Sequence, residues 1–193
     1  MATYPPMEAD LGHPLPRQRT VTPFTHVWIV LLALVGGLLG ILGSIISELG
    51  SAGSWFLLPF FGAPIIEEAF KPIGVYLAMA RWPKALTNQL YVAVLCAISG
   101  LVFGLLESAM YVLVYAPDES ASYAYFRFTI PVAMHMLASF VVGLGLTHAV
   151  VRWVSRAQPL PKRSRNFYLA GVTIHAIYNT TAVALELSGV LNF

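Results

Sequence analysis

Five long stretches of the chain are apolar almost throughout, separated by short polar segments: about His26–Ser47, Gly53–Ala80, Thr87–Tyr115, Tyr123–Trp153 and Asn166–Ser188. Each holds the roughly 20 residues that an α-helix needs to cross a hydrocarbon core of about 30 Å. The pattern predicts an all-α fold, a polytopic transmembrane helical bundle of about five transmembrane helices. In the first stretch Gly36, Gly40, Gly43, Ser44 and Ser47 recur at helical spacing, a stripe of small residues along which a neighbouring helix can approach closely. The second opens on an aromatic run containing Gly and Pro, Trp55–Pro64, which leaves open whether it begins as a short interfacial or re-entrant helix. Residues 1–25 contrast with all of this: they hold five of the thirteen prolines and mixed charges without apolar periodicity. They read as a disordered tail ahead of a single transmembrane domain, residues 26–193.

Composition agrees with the pattern. Of the 193 residues 58% are hydrophobic and 10% charged, against roughly 25% charged in a soluble domain, so lipid is the expected partner of much of the surface. The net charge of +2 gives nucleic-acid binding little support. Where the basic residues fall is more telling. Arg17 and Arg19 lie in the tail, Arg81 and Lys84 after the second stretch, and Arg152, Arg156, Lys162, Arg163 and Arg165 after the fourth. The positive-inside rule makes those segments cytoplasmic, with the N-terminus inside and the C-terminus outside. The opposite loops carry Glu48, Asp118 and Glu119, with Arg127 as a nearby cation. Cys96, the single cysteine, lies in an apolar run and reads as a packing residue.

Against this apolar background the ionisable residues stand out. Such a side chain at mid-membrane costs at least about 2.5 to 3.5 kcal/mol, so it persists with a partner, with water or with a function. Glu67, Glu68 and Lys71 sit about half way along the second stretch. On a helix Lys71 neighbours both carboxylates, at i,i+4 and i,i+3, and can neutralise one of them. Two adjacent carboxyls in low dielectric cannot both ionise cheaply, which suits one of them to acid–base work near neutrality. Pro72 follows at once and deprives the Glu68 carbonyl of its helical donor, predicting a kink there.

In the third stretch Gly100, Gly104 and Glu107 share a helix face, so a carboxylate is delivered at a close helix contact. The fourth carries His135, Ser139 and Gly143 at i,i+4 spacing, with Pro131 a turn earlier, and the fifth carries His175 and Asn179, again i,i+4. A single intramembrane histidine is often a satisfied core residue, and Glu67–Glu68–Lys71 could be a buried salt bridge that fixes packing. Three glutamates and two histidines spread over four spans, at similar depths apart from Glu107 nearer the outer face, are harder to explain that way. Peptide hydrolysis needs a proton acceptor for water, a donor for the leaving amine and stabilisation of an oxyanion, and Glu, His and Asn together provide them.

Taken in order, Glu67-Glu68-x-x-Lys71, Gly104-x-x-Glu107, His135-x-x-x-Ser139 and His175-x-x-x-Asn179 resemble the PrsW family of intramembrane proteases, in the superfamily of the type II CAAX prenyl endopeptidases. The resemblance covers roughly residues 55–185 and makes 26–193 a protease-like domain. It implies hydrolysis of a peptide bond in a membrane-anchored protein substrate, with Glu67 or Glu68 as the base that activates water. It further implies His175 with Asn179 as the oxyanion group, His135 as a water-activating or orienting partner, and Glu107, Lys71 and Ser139 in support. His135, His175 and Glu67 could also hold a divalent metal such as zinc. No H-E-x-x-H pair supports that site, and glutamate-activated water without metal is the preferred reading. A non-catalytic scaffold or receptor is the main alternative, which the retained Glu67–Glu68 pair opposes. A small ion-coupled transporter is the other, opposed by the lack of an internal repeat. The cell membrane is the expected location.

Overall fold

The computed structural model describes residues 20–50, 58–155 and 158–190, with the side chains of residues 46–50, 58 and 59 set aside. The predicted tail up to residue 19, the start of the aromatic run at Trp55, and the basic residues Arg17, Arg19 and Arg156 lie outside the described residues. Among the described residues the chain is helical and forms no strand. Helix α1 spans Thr25–Gly50. A π-helical turn, Leu58–Gly62, leads into α2 (Ala63–Phe70) and α3 (Ile73–Arg81). Next come α4 (Gln89–Met110), a second π-helical turn (Tyr111–Tyr115), α5 (Ala121–Gly145), α6 (His148–Val154) and α7 (Lys162–Leu187).

Among the described residues three stretches, Thr25–Ile45, Gln89–Tyr115 and Ala121–Gly145, are long and apolar enough to cross a membrane. The second predicted span is assembled from short helical pieces instead of one rod. Its main break falls at Lys71–Pro72, where the proline cannot donate the next helical bond. The hydroxyl of Ser99 on α4 donates to the Lys71 carbonyl there, so a polar group of the kink is satisfied inside the bundle. α7 has spanning length, but its first turn carries Lys162, Arg163 and Arg165 and its interior is more polar than that of the other three.

The fourth predicted stretch is not one helix. It divides at Leu146–Thr147, with α5 before and α6 after, and both residues are extended. Gln89 makes the break affordable in hydrogen bonds: its Nε2 donates to the carbonyls of Gly143 at 2.7 Å and Leu146 at 3.0 Å. Local caps define two of the helix starts. Asn88 accepts from the backbone N–H groups of Leu90 and Tyr91 at the start of α4, and Ser120 accepts from that of Tyr123 at the start of α5.

α4 and α5 form the most extensive helix pair, α7 packs on α5, and α1 packs on α4, α3 and α2. Small residues allow these approaches. A Cβ on Gly104 would lie 3.0 Å from Cα of Val132 and 3.1 Å from the His135 ring, and one on Gly40 would lie 2.8 Å from the Phe103 ring. An apolar core of Ile29, Val75, Met79, Trp82, Val92 and Leu95 joins α1, α3 and α4. Large apolar side chains such as Trp28, Leu31, Leu42, Leu137 and Ile177 are exposed, whereas Glu68, Lys71, His135, Ser139 and His175 are buried. That arrangement, polar inside and apolar outside, suits a chain solvated by lipid.

Candidate active site

Four helices bring the predicted polar residues to one place. α2 contributes Glu67 and Glu68, with Lys71 at its C-terminal cap; α4 contributes Glu107, α5 His135 and Ser139, and α7 His175. The kink at Pro72 ends α2 at Phe70 with Lys71 as its cap, so the two glutamates occupy its last turn and the lysine follows directly.

Lys71 is central. Its Nζ lies 2.6 Å from Oε1 of Glu68, 3.4 Å from Oε2 of Glu67 and 2.9 Å from Nδ1 of His135, and it stands 4.0 Å above the Phe103 ring. An ammonium has three hydrogens and no acceptor, so it must be Lys71 that donates to the Nδ1 lone pair of His135. The remaining nitrogen, Nε2, then carries the proton and donates to Oε2 of Glu107 at 2.9 Å. Glu107 also receives Arg127, whose Nη2 lies 3.3 Å from the same oxygen.

The second histidine is held in a similar way. Nδ1 of His175 lies 3.1 Å from Oε1 of Glu68, which makes it the donor and turns Nε2 toward Glu67, 3.8 Å from Oε2. The other oxygen of Glu68 accepts from Ser139 at 3.2 Å. The two rings meet edge to face with centroids 4.8 Å apart. Each imidazole is thus oriented by its own carboxylate.

The two adjacent glutamates therefore differ. Glu68 is wholly buried with both oxygens engaged, whereas Oε2 of Glu67 is buried and has no hydrogen-bond partner. A cavity of about 30 Å³, room for a water molecule, is lined by Glu67 and Glu107 together with Ser44, Phe103, Tyr111 and Tyr115. Glu68 is not among its walls.

Glu67, His135 and His175 each offer one donor atom, and the three atoms lie within 4.8 Å of one another, all from buried residues. Two imidazole nitrogens and one carboxylate oxygen are a donor set that catalytic zinc uses, with a further position left for water or substrate. Oε2 of Glu67, which makes no hydrogen bond and has the Lys71 ammonium 3.4 Å away, is the kind of atom a cation would satisfy. The residues fit a divalent metal.

Over residues 19–193 the chain matches the family described as PrsW family intramembrane metalloprotease. The chain belongs to the PrsW family. Its fold and its apolar helices are those of a membrane protein, and the family is one of intramembrane peptidases that use a metal. No match was found among curated proteins or among solved structures.

The remaining predicted residue, Asn179, is half-buried on α7 one turn beyond His175. Sequence reasoning weighed Arg127 only as a loop charge near the outer face. Its position one helix away from Glu107 gave no local signal, because the pairing depends on how α4 and α5 are set against each other.

Proposed function

We propose that this PrsW family protein is an endopeptidase that hydrolyses a peptide bond of a membrane-anchored protein, with Glu67, His135 and His175 as its centre. The observation that carries this reading is the convergence of those three donor groups inside a bundle of apolar helices. They would hold a divalent metal of the zinc class, which when bound supplies Lewis acidity toward a water and toward the scissile carbonyl.

The chain's own residues account for the rest. Glu67 meets the attacking water in the cavity it lines: with one carboxylate oxygen on the metal, the other would take the water's proton. Glu68 is a positioning residue that holds Lys71, Ser139 and His175 in place. Glu107 holds His135 and faces the same cavity, where it can accept or return a proton. Asn179 donates its side-chain N–H to the developing oxyanion from the turn after His175. Lys71 lowers the energy of so many acidic and basic groups in one dry site by balancing their charge.

The basic segments support a cell-membrane protein with its N-terminus in the cytoplasm and its C-terminus outside. Cavity residues Tyr111 and Tyr115 then lie toward the outer face, which favours substrates cut on that side of the bilayer. The test is reconstitution. Purified protein in liposomes, supplied with single-span proteins extracted from host membranes, should cleave a subset of them, and chelation or Glu67→Gln should stop it. Equal cleavage by wild type and Glu67→Gln would exclude the mechanism.

A further inference from the structure

Arg127 lies in the second turn of α5, within a stretch apolar enough to span a membrane. A guanidinium is costly there unless it is paired or has a task. Its side chain is 13% exposed, and three contacts tie it to the end of α4. Nη2 lies 3.3 Å from Oε2 of Glu107. The guanidinium stands 3.8 Å above the ring of Tyr111. The backbone carbonyl of Arg127 accepts from the Ser108 hydroxyl at 2.6 Å. That carbonyl is free to do so because Pro131, four residues on, has no N–H to give it.

The oxygen of Glu107 that receives Arg127 is also the one 2.9 Å from Nε2 of His135. Held by a guanidinium, this carboxylate acts as an acceptor, and His135 must present Nε2–H to it. Nδ1 is then the nitrogen with the lone pair, and it is the one turned toward Lys71 in the interior of the cluster. The inner histidine shows the same order of groups: Lys71, then Glu68, then Nδ1 of His175. Both imidazoles are thus the last member of a series cation, carboxylate, imidazole. Lys71 heads one series from inside the site and Arg127 heads the other from the outer end of the bundle.

We infer that Arg127 is a positioning residue of the active site. By holding Glu107 as the acceptor for His135 it fixes the rotation of that ring and supports the tautomer that Lys71 also selects, so that Nδ1 offers its lone pair to a metal once the metal displaces the Lys71 ammonium from it. Carboxylates that orient metal-bound histidines contribute about 10–100-fold to metal affinity or activity, and Arg127 controls one of them. The inference rests on the metal-holding reading of Glu67, His135 and His175.

The experiment is a Zn²⁺ titration, in competition with a chromophoric chelator, of the full chain purified in detergent after metal removal. Wild type, Arg127→Met, Arg127→Lys and Ser108→Ala are compared, with thermal unfolding followed in parallel. Arg127→Met should bind Zn²⁺ about 10–100-fold more weakly, and Arg127→Lys should recover most of the loss because it restores the ion pair. Ser108→Ala loosens the same helix contact without touching the ion pair. It should lower the unfolding temperature while keeping Zn²⁺ affinity close to that of wild type. If Arg127→Met does not fold, Arg127→Gln takes its place with the same expectation. Wild-type affinity in a folded Arg127→Met or Arg127→Gln protein would overturn the role of Arg127, as would an equal loss in Ser108→Ala. Failure of the wild type to bind Zn²⁺ would overturn the metal reading itself.

Discussion

Nζ of Lys71 lies 2.6 Å from Oε1 of Glu68, and both side chains are wholly buried. A pair so deep gains little net stability by existing, yet removing one member strands the other without water or counter-charge, which costs about 3–5 kcal/mol. Lys71→Met and Glu68→Gln should each destabilise the protein by that order. The double variant should cost clearly less than the sum of the two. Denaturant or thermal unfolding in detergent, arranged as a double-mutant cycle, measures the coupling. Additive losses would show that the two residues do not depend on each other.

Much of this pair was legible in the sequence, because i,i+3 and i,i+4 spacing puts Lys71 beside both glutamates on any helix. Pro72 likewise marked the kink, since a missing N–H breaks a helix wherever the proline falls. What could not be read was which glutamate faces the cavity. Neighbouring positions on a helix point about 100° apart, and only the packing of α2 against α5 and α7 turns Glu68 inward and leaves Glu67 on the cavity wall. The break at Leu146–Thr147 was hidden for a similar reason. The apolar pattern continues through it, and the donor that satisfies the freed carbonyls, Gln89, comes from another helix.

Gly104 faces His135 so closely that a methyl group fits only if its neighbours give by a few tenths of an ångström: a Cβ there would lie 3.0 Å from Cα of Val132 and 3.1 Å from Cδ2 of His135. Gly104→Ala should therefore cost about 1–3 kcal/mol through overpacking. It should lower cleavage more than stability alone explains, by tenfold or more, because a small displacement of a reacting group weighs heavily on rate. Unfolding and cleavage measured on the same preparation separate the two effects. A destabilised protein with wild-type turnover would mean that the position of His135 is not critical.

Asn179 lies half-buried on α7, one turn beyond His175. If its amide stabilises the oxyanion, Asn179→Ala should reduce kcat by about 10²–10³-fold with little change in KM, a loss larger than any change in unfolding temperature accounts for. A fall in stability with kcat preserved would make it a packing residue.

Metal removal gives a prediction that needs no substrate. A ligand that binds only the folded protein stabilises it by about 4 kcal/mol when present at 1,000 times its Kd. Zn²⁺ added back to the chelated protein should raise the unfolding temperature, and His135→Ala and His175→Ala should abolish the rise. A rise that persists in both variants would place the metal elsewhere.

The most direct measurement is N-terminal proteomics on host membranes, comparing cells that carry the wild-type protein with cells that carry Glu67→Gln at matched abundance. The account predicts new N-termini in or beside membrane-spanning segments of other proteins, present with the wild type and missing with the variant. Indistinguishable profiles from two folded, equally abundant proteins would contradict a glutamate-dependent intramembrane peptidase.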